Sequence, residues 1–376
     1  MASEGRSLRI ALASPAENAW SETFIAAHIE RLNKVELLLS GGVPPRNASH
    51  GGPLVRTTGP WSLYDRLAGR RFGGAPGLAR HRLVERLKAF TPEVMLAEYG
   101  NMGAEIAASC ERAEVPLVVH FHGFDAHRPD YIQRYGGYRE LFRYASALVV
   151  VSRAMEAQLL AIGAPREKVI YNCYGIDVDR FTPGRPDLAP PHFLAVGRFA
   201  EKKAPHLTIA AFSKVVAARP EARLTMVGQG RLWEDCRQLV GELGLGASVD
   251  LCGVRKPEEI ARLMHASRAF VQHSVVTPDN DHEGTPLAVL EAMASAVPVI
   301  ATRHAGIPDV VDGERGLLCE ERDVDAMAHH MVTLVDDPGL ALRMGLAGRA
   351  YAEVAHRVEV QVGRLQHILE RAARST

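Results

Sequence analysis

The sequence predicts an α/β protein with two Rossmann-like, doubly wound domains. Short apolar runs alternate with helical patterns over most of the chain, which is typical of parallel sheets covered by helices on both faces. A chain of 376 residues favours two domains over one. The alternation restarts after a Pro-rich stretch at residues 182–191, whose composition suits a linker. We therefore expect a first domain over residues 1–186, a second over 187–355, and a final helical segment over 356–376.

Apolar runs predict the strands of both domains. In the first domain they lie at residues 8–13, 35–39, 94–97, 116–121, 148–151 and 169–171. In the second they lie at residues 193–196, 224–227, 249–252, 270–273, 297–301 and 316–319. Helices are expected between them, including a basic helical stretch at residues 61–90, whereas residues 43–60 are rich in Gly, Pro and polar residues and are expected to form a loop.

The composition excludes several classes of function. The formal net charge is zero, so no overall field attracts nucleic acid. The cysteines are scattered without a C-x-x-C pair, which argues against structural zinc and a disulfide framework; they are Cys110, Cys173, Cys236, Cys252 and Cys319. The apolar run near the start is too short for a signal peptide or a transmembrane helix. We therefore expect a cytoplasmic protein without a metal or cofactor.

The most informative stretch, residues 281–311, reads DHEGTPLAVLEAMASAVPVIATRHAGIPDVV. Pro286 suits the first turn of a helix, which places Glu283 just before that helix and Glu291 inside it. Their spacing corresponds to a helical rise of roughly 12 Å, whereas the paired carboxylates of glycosidases lie about 5–9.5 Å apart. Two contacts to one long ligand fit better, with a phosphate at the helix N-terminus between two hydroxyl-rich groups. A nucleotide-sugar has that order of parts.

This stretch resembles the E-x7-E segment of glycosyltransferase family 4, whose members are retaining enzymes with the GT-B fold. The resemblance implies two domains facing each other across a cleft, with the last helix crossing back onto the first domain. It implies that Glu283 holds hydroxyls of the donor sugar and that Glu291 holds the ribose. The family often has Gly-Phe-Gly after the first Glu, but here Gly284 is followed by Thr-Pro. Pro286 has no N–H, so phosphate donors would come from Thr285 or Leu287.

Basic residues follow the first strand of the second domain, in the segment Gly-Arg-Phe-Ala-Glu-Lys-Lys at residues 197–203. Ligands of α/β sheets bind where strands end, and an Arg with a Lys can neutralise a diphosphate. The segment resembles the family's G-R-x-x-x-x-K clamp, with Arg198 and Lys203 at the matching positions and Ala204 where Gly is common. The alternative is a solvated run of charges.

Two glycine-containing turns follow other strands of the second domain. Gly228 belongs to a Gly-x-Gly that lacks the third glycine of a dinucleotide-binding motif. The resemblance places this turn near the nucleotide, and it places Gly253 and Val254 in the loop that lines the base. The alternative for both segments is simple turn formation.

Histidines end a strand of the first domain, in the sequence Val-His-Phe-His-Gly-Phe-Asp at residues 119–125. No further His or Cys stands at ligand spacing, so no metal site is expected. The resemblance implies that His122 touches the donor sugar from the first domain, whereas His120 suits the core. Asp125 is expected to orient the acceptor or a loop. Asn18, in the loop after the first strand, is a second acceptor-side candidate.

These residues and the resemblance together predict a metal-independent hexosyltransferase with a nucleotide-diphosphate sugar as donor, UDP-linked or alternatively GDP-linked, and the resemblance implies that it retains the anomeric configuration. Its acceptor would be a hydroxyl group of a growing polysaccharide, a glycoconjugate or a small molecule. An epimerase or sugar phosphorylase of the same fold and a non-catalytic nucleotide-sugar sensor are the alternatives. The basic, aromatic stretch at residues 61–90 is a candidate for peripheral contact with an anionic membrane, and a solvated helix face is the other interpretation.

Overall fold

The computed structural model describes residues 8–16, 23–56, 58–59 and 61–374. The chain divides into two compact units. The first unit contains Met1–Asn172 and Gln361–Thr376, and the second contains Cys173–Val360. The Pro-rich stretch at residues 182–191 therefore lies inside the second unit.

The first unit is built on a seven-stranded sheet with the order β3-β2-β1-β4-β5-β6-β7. Its neighbouring strands run parallel, except that β3 pairs antiparallel with β2. The strands are β1 (Ile10–Ala13), β2 (Val35–Ser40), β3 (Asn47–Ala48), β4 (Val94–Glu98), β5 (Leu117–Phe121), β6 (Ala147–Val150) and β7 (Val169–Tyr171). Every residue of β1, β4, β5 and β6 is buried, because these strands are covered on both faces, and this explains their continuous apolar runs.

The helices of the first unit connect successive strands, as a parallel sheet requires. They are α1 (Thr23–Arg31), α2 (Trp61–Gly69), α3 (Ala75–Phe90), α4 (Gly100–Arg112), α5 (Phe124–His127), α6 (Pro129–Arg134), α7 (Arg139–Tyr144) and α8 (Arg153–Ala161). Short 3₁₀ helices occupy Arg70–Phe72, Gly136–Tyr138 and Arg166–Lys168.

The second unit has a six-stranded parallel sheet with the order β10-β9-β8-β11-β12-β13. Its strands are β8 (His192–Val196), β9 (Arg223–Val227), β10 (Val249–Gly253), β11 (Ala269–Gln272), β12 (Val299–Thr302) and β13 (Gly316–Cys319). The strand order reverses between β8 and β11. In open α/β sheets, ligands bind beyond the carboxyl ends of the strands at such a point.

The helices of the second unit cover this sheet around a core that contains Phe193, Phe212 and Val271. They are α9 (Pro205–Ala218), α10 (Trp233–Glu242), α11 (Pro257–His265), α12 (Leu287–Ala294), α13 (Val324–Asp336), α14 (Pro338–Ala355) and α15 (Val358–Arg374), with a 3₁₀ helix at Glu201–Lys203. The helix α15 begins in the second unit, and from Gln361 it belongs to the first. No helix of the described residues combines the length and the apolar character needed to cross a bilayer.

Both units are doubly wound α/β structures, so the predicted fold class is confirmed. The structure differs from the sequence-based prediction in two local features. Residues 43–60 include the short edge strand β3, whose two residues, Asn47 and Ala48, gave no strand signal. The helical stretch at residues 61–90 is divided at Gly73 and Gly74, which both have positive φ angles of 75° and 102°. This conformation strains residues that carry a Cβ and interrupts the helix.

Candidate active site

The candidate donor site lies at the carboxyl ends of β8 and β11, where the strand order of the second sheet reverses. The loop after β8 carries Arg198 and leads into the 3₁₀ helix that contains Lys203. The segment between β11 and α12 carries Glu283 and has no regular secondary structure. The fold therefore brings these segments, which are distant in sequence, to the same edge of one sheet.

Lys203 and Glu283 form a buried ion pair in which Lys203 Nζ lies 3.3 Å from Glu283 Oε1. The two side chains are 15% and 10% exposed. Burial raises the pKa of Glu283, but the positive charges of Lys203 and Lys202 outweigh it and hold the pKa below its usual range. Burial lowers the pKa of Lys203, and the attraction of Glu283 offsets part of that effect. Glu283 is therefore the ionised partner that a buried ammonium group requires.

Glu283 Oε1 has acceptor capacity left over. It is buried and, among the described residues, accepts no hydrogen bond, because Lys203 approaches at 3.3 Å as an ionic partner without hydrogen-bond geometry. Buried polar atoms are hydrogen-bonded in the great majority of cases. A buried carboxylate oxygen in this state is suited to accept a hydrogen bond from a ligand.

Lys202 holds the segment that leads to Glu283 through contacts with Asp281 and His282. The sequence analysis did not single out this residue. Its ammonium group lies 3.0 Å from Asp281 Oδ1 and 3.2 Å from the carbonyl oxygen of His282. Its own carbonyl oxygen accepts the N–H of Val275 at 2.9 Å. Adjacent lysines thus have different roles, since Lys202 holds the loop and Lys203 pairs with the candidate catalytic carboxylate.

Arg198 is exposed and forms no ion pair with a carboxylate among the described residues. The loop that carries Arg198 packs against the backbone of Gly228, which has a φ angle of 136°. A Cβ at this position would lie 2.0 Å from the carbonyl oxygen of Gly197. Gly228 also donates its N–H to the carbonyl oxygen of Gly253 at 2.9 Å. Close packing against Gly197 explains Gly228, whereas Gly253 is explained by its positive φ angle of 66°. Ligand contacts by Gly228, Gly253 and Val254 stay a prediction.

The helix α12 begins at Leu287, directly after its N-cap residue Pro286, which makes no side-chain hydrogen bond to the helix. Glu291 lies on this helix and is half-buried. Burial raises the pKa of Glu291 to about 7, although Arg180 and Lys203 act in the opposite direction. The local placement of Glu283 before the helix and Glu291 within it agrees with the sequence-based expectation. Contacts of Gly284, Thr285 and Leu287 with a phosphate stay predictions.

In the first unit, His122 belongs to a buried cluster around Glu98. His122 Nε2 lies 2.8 Å from one oxygen of Glu98, and His28 Nδ1 lies 2.7 Å from the other. Burial raises the pKa of Glu98, but the two histidines outweigh it and hold the pKa below its usual range. His120 stacks on His28 with the ring centroids 5.3 Å apart, and burial holds the pKa of His120 well below its usual value. His120 is therefore a neutral core histidine.

The same cluster has the composition of a metal site, which the sequence analysis missed because Glu98 and His28 are far from His120 in the sequence. His28, Glu98 and His120 each place a ligand atom within 4.8 Å of the others. However, the separations of 2.7 and 2.8 Å between Glu98 and two histidines are those of hydrogen bonds. The two bonds also use different carboxylate oxygens. We therefore interpret the cluster as a hydrogen-bonded network that holds His122.

Asp125 organises the loop that follows β5. Its carboxylate accepts the N–H groups of His122 at 3.0 Å, Gly123 at 2.9 Å and Gly100 at 2.7 Å. The residue is fully buried, so its visible role is that of loop orientation. Asn18 lies outside the described residues, and its acceptor-side role stays a prediction.

Comparisons with known proteins identify the chain. Residues 25–175 match the family model described as "Glycosyl transferase 4-like domain", and residues 181–351 match "Glycosyl transferases group 1". The amylovoran biosynthesis glycosyltransferase AmsK of Erwinia amylovora is 30% identical over 293 residues, which cover 76% of this chain and 72% of AmsK. The chain belongs to the family 4 glycosyltransferases. The resemblance drawn from the sequence is thereby confirmed.

Solved structures show the fold of this glycosyltransferase. HepE of Anabaena, crystallised with UDP, superposes with a TM-score of 0.78 at 17% identity, covering 97% of this chain and 100% of HepE. Sucrose-phosphate synthase of Thermosynechococcus elongatus gives a TM-score of 0.72 at 19% identity, covering 98% of this chain and 100% of the synthase. These likenesses confirm the GT-B fold class.

Another relative is a GDP-mannose-dependent mannosyltransferase of Corynebacterium glutamicum that acts on monoacylated phosphatidylinositol monomannoside. It is 32% identical over 209 residues, which cover 52% of this glycosyltransferase and 54% of the relative. The relatives and the solved structures therefore name different donor nucleotides, GDP in this case and UDP in HepE.

Proposed function

We propose that this glycosyltransferase transfers a hexose from a nucleotide-diphosphate sugar to a hydroxyl acceptor with retention of the anomeric configuration. The observation that carries the proposal is the buried pair of Lys203 and Glu283, in which Glu283 Oε1 accepts no hydrogen bond from the part of the chain that the structure describes. The ammonium group suits a diphosphate, and the carboxylate oxygen suits a sugar hydroxyl. A nucleotide-sugar carries both groups close together, because its diphosphate is bonded to the anomeric carbon of the sugar.

In this mechanism, Arg198 and Lys203 stabilise the negative charge that grows on the diphosphate leaving group, since stabilisation of developing charge is usually the largest catalytic contribution. Glu283 accepts hydrogen bonds from sugar hydroxyls, Glu291 accepts them from the ribose, and His122 contacts the sugar. The acceptor oxygen bonds to the anomeric carbon on the face from which the diphosphate leaves. The departing phosphate oxygen takes the acceptor's proton, so the reaction needs no protein base, and direct attack by the acceptor on that face needs no protein nucleophile.

The donor is a UDP-sugar in this proposal, with a GDP-sugar as the alternative. The likeness to a UDP complex over 97% of the chain favours UDP, and the mannosyltransferase relative keeps GDP open. Thermal-shift measurements with UDP-glucose, UDP-N-acetylglucosamine and GDP-mannose test this, because a ligand at 100 times its dissociation constant stabilises a protein by about 2.7 kcal/mol. Acceptor-free hydrolysis of the stabilising donor then shows turnover. Stabilisation by none of the common nucleotide-sugars would contradict the proposal.

The positive clamp replaces a metal ion on the diphosphate in this account. We expect full activity in EDTA, and activity that disappears in EDTA and returns with Mg²⁺ or Mn²⁺ would contradict it. Product analysis separates the alternatives: an epimerase releases free epimerised sugar, and a phosphorylase releases sugar phosphate. A nucleotide-sugar sensor would bind the donor without any turnover.

The helix α2 and the 3₁₀ helix after it support an acceptor at a membrane surface. The large apolar side chains exposed there are Leu63, Tyr64, Leu67 and Phe72, at 61%, 59%, 53% and 38% exposure. Arg66, Arg70 and Arg71 are exposed beside them. We name this set, Leu63 to Phe72, the α2 surface. A helix with an apolar face and basic residues suits an anionic bilayer, and hence a lipid-linked acceptor.

The other arginines of residues 61–90 have partners inside the first unit. Arg82 binds Asp65 and the carbonyl oxygen of Leu54. Arg80 binds Glu105, and Arg86 binds backbone carbonyl groups of residues 50–52. The proposed membrane contact is therefore confined to the α2 surface rather than spread over the whole basic stretch.

A further inference from the structure

The backbone of Glu283 is held by His304, a histidine to which the family resemblance assigns no role. The N–H of Glu283 donates to Nε2 of His304 at 3.1 Å. His304 lies in the loop after β12, and its side chain is fully buried. On its other side, His304 Nδ1 lies 2.6 Å from Oε1 of Glu321, which follows β13.

The direction of these hydrogen bonds fixes the state of the ring. A backbone N–H can only donate, so Nε2 of His304 is the acceptor and carries no hydrogen. The hydrogen of the neutral ring is then on Nδ1, where it donates to the carboxylate of Glu321. The second oxygen of Glu321 accepts the N–H of Val276 at 2.9 Å. One carboxylate and one imidazole thus connect the loops that follow β11, β12 and β13.

Neighbouring contacts hold the same loops together. Gly306 donates its N–H to the carbonyl oxygen of Gly284 at 3.1 Å, and Thr302 Oγ1 donates to the carbonyl oxygen of Ser274 at 2.6 Å. The segment from residue 273 to 286 has no helix or strand of its own. The position of this segment beside Lys203 therefore depends on such contacts between loops. The contact to the backbone of Glu283 is made by His304.

We propose that His304 and Glu321 are positioning residues that determine how Glu283 meets the donor sugar, and so how strongly the enzyme distinguishes a nucleotide-sugar from the free nucleotide. This inference rests on the proposed function, in which Glu283 binds the sugar. Neither residue needs to touch the substrate. Carboxylates orient metal-binding histidines in a similar way: the carboxylate accepts a hydrogen bond from one ring nitrogen and so fixes the direction in which the other nitrogen points.

Glu321 acts on Glu283 through His304, and this gives a specific expectation for the variant Glu321→Gln. A glutamine at residue 321 that donates to Nδ1 of His304 would move the ring hydrogen to Nε2. Nε2 would then carry a hydrogen that faces the N–H of Glu283. Because two donors cannot bond to each other, the hydrogen bond would be lost. The variant should therefore resemble His304→Leu, although it leaves His304 in place. His304→Gln keeps an oxygen that can accept the N–H of Glu283, and it should restore part of the function.

The experiment measures the dissociation constants of UDP-glucose, UDP, GDP-mannose and GDP by calorimetry, with kcat and KM for nucleotide release. His304→Leu and Glu321→Gln should weaken binding of the accepted nucleotide-sugar by roughly 10-fold relative to its free nucleotide, or about 1.4 kcal/mol, because Glu283 loses the contact that directs its carboxylate to the sugar. Arg268→Met is the matched control. Arg268 is a buried residue before β11 that donates to the carbonyl oxygens of Leu334 and Ala189, so its loss should lower stability and leave the ratio unchanged.

The outcomes separate this inference from the proposed function. If the unaltered protein binds neither nucleotide-sugar, the proposed function fails, and the inference fails with it. If the unaltered protein turns over a donor but the variants keep its ratio of nucleotide-sugar to nucleotide affinity, the inference alone is overturned. ¹⁵N NMR of labelled histidine adds a readout without ligand: the Nδ1–H form of His304 is expected, and an Nε2–H form would also overturn the inference.

Discussion

Replacing Glu283 by Gln tests the centre of the proposed site, because it removes the charge and keeps the shape. At 3.3 Å from Lys203 Nζ, the carboxylate contributes an attraction of about 5 kcal/mol at an effective dielectric constant of 20. Removal of a buried charge offsets part of that loss, and the dipole of the amide oxygen still faces Lys203. We therefore expect the free energy of unfolding to fall by about 2–3 kcal/mol.

Glu283→Gln should lower turnover of the nucleotide-sugar without lowering affinity for the free nucleotide. A hydrogen bond to a charged acceptor contributes about 1.5–3 kcal/mol, so turnover should fall by roughly 10- to 100-fold. Affinity for free UDP should stay the same or rise, because Lys203 loses the carboxylate that competes with the diphosphate. Thermal unfolding, calorimetry with UDP and steady-state kinetics measure the three effects.

Asp336→Asn is the control for loss of an ion pair. Asp336 pairs with Arg219 at 2.6 Å on the surface of the second unit, and exposed pairs contribute about 0–1 kcal/mol. This variant should keep both turnover and UDP affinity. Equal losses of turnover and UDP affinity in Glu283→Gln would refute the reasoning, since they would show that Glu283 only maintains the fold of the site.

Three further predictions follow from the same structure. Arg198→Ala and Lys203→Ala should each reduce kcat/KM, and the double variant should lose less than the sum because both cations act on one diphosphate; full additivity of the two losses would argue against a shared phosphate. Because burial raises the pKa of Glu291 to about 7 from 4.5, folding favours its protonated form, and stability should fall by about 3 kcal/mol as the pH rises through that interval. Thermal unfolding of Glu291→Gln should lack this decline, and an unchanged pH profile would contradict the assignment. Cosedimentation with anionic vesicles should weaken with salt and with Arg70→Ser and Arg71→Ser, since surface attraction is screened within about 8 Å at physiological ionic strength; absence of binding at low salt would favour a soluble acceptor.

The sequence was sufficient for most of the fold because buried parallel strands have an unmistakable composition. The strands β4, β5 and β6 consist of residues that are all buried, and each appeared as an apolar run. The edge strand β3 has two residues, Asn47 and Ala48, and pairs only with β2. Strands of this kind depend on a tertiary partner, so their own residues carry little signal.

The sequence allowed individual residues of the candidate site to be predicted, but not the ion pairs and hydrogen bonds that connect them. Motif spacing identified Lys203 and Glu283 separately, but their ion pair is a product of the fold. The same holds for Glu98, which lies 24 residues before His122 and 70 residues after His28. It also holds for His304 and Glu321, because hydrogen bonds between loops of different strands leave no periodic pattern in a sequence.

Analysis of the released sugar by early-time ¹H NMR tests the central claim most directly. The unaltered enzyme would be incubated with UDP-glucose or GDP-mannose, whichever stabilises it, in the absence of acceptor and in the presence of EDTA. We predict release of the nucleotide diphosphate together with a sugar that first appears in the anomeric configuration of the donor, and loss of this release in Glu283→Gln. First appearance of the opposite anomer, or undiminished release by the variant, would contradict the account.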